Sequence, residues 1–235
     1  MIAAYRRRWV LALALVGVLA PLVLAAGMWP AWWEWIAKEQ TPMTWLQSVV
    51  LVVAALIAAL SALLLRARRE PGSRGLVVLA VGFLALALDE RFAVHERVRD
   101  RVLAPRDVTV PFLPWVGPGD FLMVLVAIVG LLVLPLVWRA VAPDRAARRA
   151  LVLAVVLAVV AVAMDSIDPA SMSLATERLE QTLEECVELL SGLAFAAATG
   201  LRLLGVLGQL IEPAELVAPS GTKLAADQRL ADRVG

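Results

Sequence analysis

The chain has 235 residues, 61% of them hydrophobic, with a mean hydropathy of +0.82 and a formal net charge of +1 at neutral pH. A soluble domain is nearer half apolar, so this composition indicates a membrane protein with almost no room for a separate soluble domain. The single cysteine, Cys186, and the single histidine, His95, exclude an internal disulfide, a Cys-x-x-Cys metal site and bis-histidine haem ligation.

Apolar stretches that match the ~20 residues a helix needs to cross a bilayer recur along the chain. We therefore predict an all-α, polytopic membrane helix bundle with about six transmembrane helices. The predicted spans are residues 9–29, 44–65, 75–96, 120–138, 150–168 and 182–204, which form a single bundle over 1–205, and a polar cytoplasmic tail follows at 206–235. The first span has the basic flank of a signal peptide, but its apolar stretch exceeds the usual ~7–15 residues, so we expect it to be retained.

The distribution of arginine predicts the orientation of the bundle. Basic groups at residues 6–8, 66–74 and 139–149 fall on one side if there are six spans. The positive-inside rule makes that side cytoplasmic, together with both termini, and leaves residues 97–106 as a basic exception outside. We expect a multi-pass protein of the bacterial inner (cytoplasmic) membrane, with the tryptophans of residues 29–35 in the outer aromatic belt.

Acidic residues occur at a similar depth in three of the predicted helices. Asp89 lies ~21 Å along the third span from its inner start, and Asp165 lies ~22 Å along the fifth, at 1.5 Å per residue. The sixth span runs in the opposite direction and begins with Glu184, Glu185 and Glu188. Ionisable groups at membrane depth normally face a bundle interior or a water-filled cavity. We therefore predict an outward-facing acidic pocket between these helices.

Helical phase predicts which side chains face that pocket. On a continuous third helix Asp89 and Glu96 lie ~20° apart, whereas Glu90 and Arg91 point elsewhere. On the sixth span a 3-4-4 spacing aligns acidic residues into one stripe, which Ser191 continues into the membrane. The predicted site consists of Asp89, His95, Glu96, Asp165, Asp168, Glu184 and Glu188.

Simpler explanations exist for several of these residues. The outer arginines could pair with the acidic stripe in a seam of exposed ion pairs, which contribute little to stability. Glu185 fits a capping box with Thr182, and Asp168, which precedes Pro169, could simply end the fifth span. His95 is either an interfacial histidine in a salt bridge, a metal ligand or a proton-transfer group.

The chemistry of the predicted pocket points to a cation. Close carboxylates cannot all stay ionised without a counter-charge. A carboxylate-rich shell with one imidazole suits a divalent metal ion, namely Zn, Mn, Fe or Mg, and such an ion could activate water for hydrolysis. The uncharged outer loop 108–119 either rests on the membrane interface or forms a lid that admits an amphiphilic substrate.

The leading hypothesis is a metal-binding membrane protein that hydrolyses a lipid-like substrate. Its expected partners are membrane lipid and an amphiphilic substrate, and no nucleic acid. A proton- or cation-coupled transporter is one alternative, although the inner parts of the last two spans, 151–164 and 193–199, carry no ionisable residue. A non-catalytic membrane subunit whose acidic face docks a partner is another.

Overall fold

The computed structural model describes residues 1–38, 40–110, 116, 119, 121–166 and 172–211, and the structural statements below concern those residues. They contain no β-strand, and the predicted all-α bundle is confirmed. The α-helices of this part of the chain are α1 Ile2–Gly27, α2 Pro42–Ala67, α3 Ser73–Phe92, α4 Val94–Val98, α5 Phe121–Val141, α6 Arg145–Asp165 and α7 Leu174–Ile211.

Five of these helices, α1, α2, α5, α6 and α7, are long and apolar enough to cross a membrane by length and composition. The third predicted span corresponds to α3, whose 20 residues end with Asp89, Glu90, Arg91 and Phe92. Because α3 has only 20 residues, the three adjacent charges in its last turn and Arg74 in its first leave only residues 75–88 as an uninterrupted uncharged stretch. The chain is thus built as a helical membrane protein, and six remains the predicted number of spans.

The centre of the bundle is α7. It packs along α1, α2 and α6, while α2 also packs along α3. Helix α5 packs against both α3 and α6 and so completes a ring in the order α7, α2, α3, α5 and α6. Helix α1 lies outside this ring, against α7 and α2. Small residues such as Gly192, Ala196 and Gly200 on the buried side of α7 allow this close packing of its neighbours.

One end of the bundle is tied together by charged residues that are partly or fully buried. Arg6 of α1 donates two hydrogen bonds to Asp144, Nη1 to Oδ2 at 2.6 Å and Nη2 to Oδ1 at 2.8 Å. Asp144 is also the N-cap of α6, because its Oδ1 accepts from two backbone N–H groups in the first turn. Arg202 of α7, only 3% exposed, donates from Nε to the carbonyl oxygen of Ala140 in α5 at 2.8 Å. We call this the basic end, and it contains the arginines predicted to be cytoplasmic.

The helices α3 and α5 come close together at the basic end. A Cβ on Gly75 would lie 2.5 Å from the carbonyl oxygen of Leu136 and 3.2 Å from the Cβ of Ala140. The residues of α5 that are buried, Val137, Ala140 and Val141, all lie in its last two turns. Helix α5 is therefore anchored at the basic end, and its preceding turns have no buried residue.

The opposite end of α3 differs from the prediction. The helix stops at Phe92, and Ala93 adopts left-handed backbone angles (φ 45°, ψ 52°) before α4 begins. Left-handed angles are uncommon for residues other than glycine, so an alanine gives no signal of a break. The continuous third helix was therefore wrong, and Asp89 and Glu96 belong to separate helices.

Candidate functional site

A cavity of about 1600 Å³ lies inside the ring of five helices. Most of its lining is apolar, and most of the charged residues gather near the ends of α3 and α6 and in the N-terminal half of α7. Six predicted site residues line it, namely Asp89, His95, Glu96, Asp165, Glu184 and Glu188. The seventh, Asp168, lies outside the described residues. Their role as metal ligands stays a prediction.

Three carboxylates from two helices converge at this end of the cavity. One oxygen each from Glu90 of α3 and from Glu185 and Glu188 of α7 lies within 4.8 Å of the other two. Glu185 and Glu188 are three residues apart and so share one face of α7. Glu185 is only 7% exposed. We call these three residues the glutamate triad, and their separation is short enough for one cation to contact all of them.

Only Glu188 of this triad was among the predicted site residues. Glu90 was expected to point elsewhere, but its carboxylate lies beside those of Glu185 and Glu188 on α7. A capping box with Thr182 was the simpler explanation for Glu185, and it does not apply because α7 already begins at Leu174. Thr182 lies inside the helix and donates from Oγ1 to the carbonyl oxygen of Arg178 at 2.7 Å.

Gln47 adds a buried amide beside the triad and was missed in the sequence. It lies in the second turn of α2, is 4% exposed and lines the cavity. Its Nε2 donates to the backbone carbonyl oxygen of Glu185 at 2.9 Å, which fixes α2 against α7 at the triad. Its Oε1 is buried and has no hydrogen-bond partner among the described residues. A polar residue so close to the start of an apolar span was the available signal.

His95 forms an ion pair with Asp89 next to the triad. The backbone N–H of His95 donates to Oδ1 of Asp89 at 2.8 Å, and Nδ1 lies 2.7 Å from Oδ2. The left-handed turn at Ala93 makes both contacts possible, because it folds α4 back against the end of α3. The pairing through Nδ1 leaves Nε2 as the ring nitrogen that is open to another role.

The surroundings of His95 raise its pKa. Burial acts to lower the pKa of His95, but the hydrogen bond and the charge of Asp89 outweigh burial. The charges of Asp165 and Glu96 act in the same direction as Asp89. The pKa of His95 is consequently raised above its ordinary value of 6.5, which favours the imidazolium form beside Asp89.

This pair predicts a pH-dependent stability. Because the folded-state pKa of His95 is above 6.5, its stabilising contribution is fully present below pH 6.5 and is lost as the pH rises through the raised value. We expect the native protein to lose stability over this interval relative to the His95→Gln variant, which does not titrate. Denaturation in detergent with chelator present, from roughly pH 6 to 9, measures the difference.

The Glu34→Gln variant is a suitable control for that titration. Glu34 pairs with Lys38 at the surface and does not line the cavity, and exposed pairs contribute little to stability, so its difference from the native protein should stay flat over the same range. A flat difference for His95→Gln as well would contradict the pairing.

One family model matches most of the chain, but its description assigns no chemistry. A family model described as a domain of unknown function (DUF8692) matches residues 2–203. This match runs from the start of α1 into the last third of α7. No curated protein and no solved structure matches the chain.

Proposed function

The chain belongs to the DUF8692 family, and we propose that it is a membrane protein that binds a divalent cation at the glutamate triad. The observation that carries the proposal is the convergence of Glu90, Glu185 and Glu188 within 4.8 Å at the end of a largely apolar cavity. The candidate ions are Mn, Fe, Zn and Mg, all of which accept carboxylate oxygens.

Electrostatics supports a cation at this position. Three carboxylates at such short range repel one another, and burial of Glu185 increases the cost of its charge. A divalent ion removes most of that repulsion at once. The buried Oε1 of Gln47 supplies a carbonyl-type oxygen nearby, and hard cations accept carboxylate and amide oxygens together.

We further propose a role for the bound ion and an orientation for the protein in the membrane. The apolar cavity that continues from the triad supports a lipid-like substrate, and a bound metal could activate the water that hydrolyses it. His95, paired with Asp89, would stand beside such a water as a proton donor or acceptor. By the positive-inside rule, the basic end faces the cytoplasm of a bacterial inner membrane and the triad faces outward.

Proton- or cation-coupled transport remains the second candidate function. Carboxylates that share protons would satisfy the triad without a metal. This candidate needs a polar path to the basic end, and the cavity lining on that side consists of residues such as Leu134, Val155 and Phe195. A non-catalytic subunit that docks a partner through its acidic end is the third.

Thermal unfolding of the purified protein with and without added ions tests the proposal. An ion that binds only the native state at 100 times its dissociation constant stabilises it by ~2.7 kcal/mol. We expect Mn, Zn, Fe(II) or Mg to raise the melting temperature at neutral pH, and the rise to shrink in acid because the ligands must be deprotonated. Glu188→Gln and Glu185→Gln should abolish the metal-dependent rise.

Glu34→Gln is the matched control, because Glu34 pairs with Lys38 at the surface and does not line the cavity. It should respond to metal as the native protein does. A proton carrier would give little response to any of these ions and would be stabilised by acid. No metal-specific shift, or an equal shift in the triad variants, would rule out the cation site.

A further inference from the structure

The cavity reaches from the carboxylates deep into the membrane region. Along α6 its lining extends from Asp165 to Leu151, a distance of ~21 Å at 1.5 Å per residue, and along α3 it extends from Asp89 to Val77, or ~18 Å. One leaflet of the hydrocarbon core is ~15 Å thick, half of the ~30 Å bilayer core. The depth of the cavity therefore matches the length of lipid tails that lie with their polar end at the triad.

The volume of the cavity fits a large ligand. Pockets for drug-sized molecules occupy ~300–1,000 Å³, whereas this cavity has about 1600 Å³. Its deeper walls are formed by aliphatic and aromatic side chains such as Leu86, Leu134, Val155 and Phe195. Water gains few hydrogen bonds in such a space, so an apolar ligand is the natural occupant.

The outer half of α5 provides a route of entry from the lipid. Leu125 and Val129 line the cavity and are 49% and 60% exposed, so other protein side chains cover them only in part. The buried residues of α5 are confined to its last two turns at the basic end. The wall between the cavity and the surrounding membrane is therefore thin along outer α5.

Charge defines the head group that this cavity prefers. Eight acidic residues line it, against two basic residues and His95, within the described part of the chain. A divalent ion at the triad compensates only two of these negative charges. A head group that carries an ammonium is attracted to this end, whereas a purely anionic head group is repelled.

We propose that the cavity binds a two-chain phospholipid with an ammonium-bearing head group, the tails between α3, α5 and α6 and the head at the acidic end. This inference rests on the proposed function for the position of the head group beside the triad. The tails depend on the apolar walls alone, so the two proposals can fail separately.

Two glycines allow the cavity to be filled without a clash. Gly82 of α3 and Gly130 of α5 both line it, and a Cβ on either would have nothing within 4 Å. The double variant Gly82→Leu/Gly130→Leu places two leucine side chains in the tail region. The matched control is Ala14→Leu, which adds the same kind of side chain to the exposed side of α1, outside the cavity.

The test is the phospholipid that remains after purification in mild detergent, quantified by mass spectrometry per mole of protein. We expect the native protein and Ala14→Leu to retain phospholipid that is enriched severalfold in ethanolamine head groups relative to the membrane extract. The double variant should retain severalfold less. Equal retention in all three proteins would overturn the tail site, and retention without enrichment over phosphatidylglycerol would overturn the head-group preference.

Metal titration of the same proteins separates this inference from the proposed function. The double variant should still show the metal-dependent rise in melting temperature, because the glutamate triad is unchanged. Loss of lipid together with intact metal binding supports both proposals. Retained, ethanolamine-enriched lipid in a protein that binds no metal would leave the lipid site standing and remove the cation site.

Discussion

Replacing Asp144 with alanine should lower the free energy of unfolding by about 3 kcal/mol. Truncating one partner of a buried ion pair costs roughly 3–5 kcal/mol, and loss of a helix N-cap adds roughly 0.5–2 kcal/mol. The Asp144 side chain is 9% exposed, but that of Arg6 is 24% exposed, and this solvent exposure reduces the stabilisation that the ion pair provides. Denaturation of the protein in detergent mixtures at neutral pH measures the loss.

The effect of Asp144→Ala should depend on pH in a defined direction. Burial raises the pKa of Asp144, but hydrogen bonds from Arg6 and from backbone N–H groups outweigh it, so the pKa is lowered below 3.8. The stabilising contribution is therefore present above pH 3.8 and is lost only as the pH falls through the lowered value. The difference between native protein and variant should stay constant around neutrality.

Glu34→Ala is the control for the ion pair at the basic end. Glu34 accepts from Lys38 at 2.6 Å in an i,i+4 pair, but the two side chains are 34% and 55% exposed. An exposed pair of this kind contributes about 0.2–1 kcal/mol. Equal losses for the two variants would mean that Asp144 does not tie α1 to α6.

The helices could be predicted because lipid imposes a simple requirement on the chain. Backbone groups in a bilayer must be satisfied within the segment, so each long apolar run must be helical. The runs around Val50 and Val155 carry this signal without interruption. The break at Ala93 could not be predicted, because it depends on contacts formed in the fold, where Asp89 accepts two bonds from His95.

The position of the site along the helices could be predicted, but the directions in which its side chains point could not. Counting residues along each span placed Asp89 and Glu188 near one end, and both line the cavity there. Glu90, rather than Asp89, joins the carboxylates of α7 because of the way α3 is rotated against its neighbours, and a helix that is apolar on every side does not encode that rotation in its sequence. Gln47 was missed for the same reason, because its place beside Glu185 depends on how α2 crosses α7.

Gly75→Ala should destabilise the bundle by roughly 2 kcal/mol, although alanine is the better helix former. The new Cβ would lie 2.5 Å from the carbonyl oxygen of Leu136 and 3.0 Å from its carbonyl carbon. These are backbone atoms, so α3 and α5 must move apart, and overpacking of this kind costs ~1–3 kcal/mol. Alanine recovers at most ~1 kcal/mol in helix propensity, so the clash decides the sign.

Gly82→Ala should change the stability in the opposite direction, although Gly82 lies in the same helix as Gly75. Its Cβ meets nothing within 4 Å, so the gain in helix propensity of ~0.5–1 kcal/mol is unopposed and the variant should be slightly more stable than the native protein. Parallel denaturation curves of the two variants measure both effects. Gly75 lies where α5 is anchored, and Gly82 lies where the cavity separates α3 from α5. The two changes in stability should therefore have opposite signs only if α5 is held at the basic end and makes no close contact with α3 further along. Two stabilised variants would contradict the anchored geometry on which lipid entry past outer α5 depends.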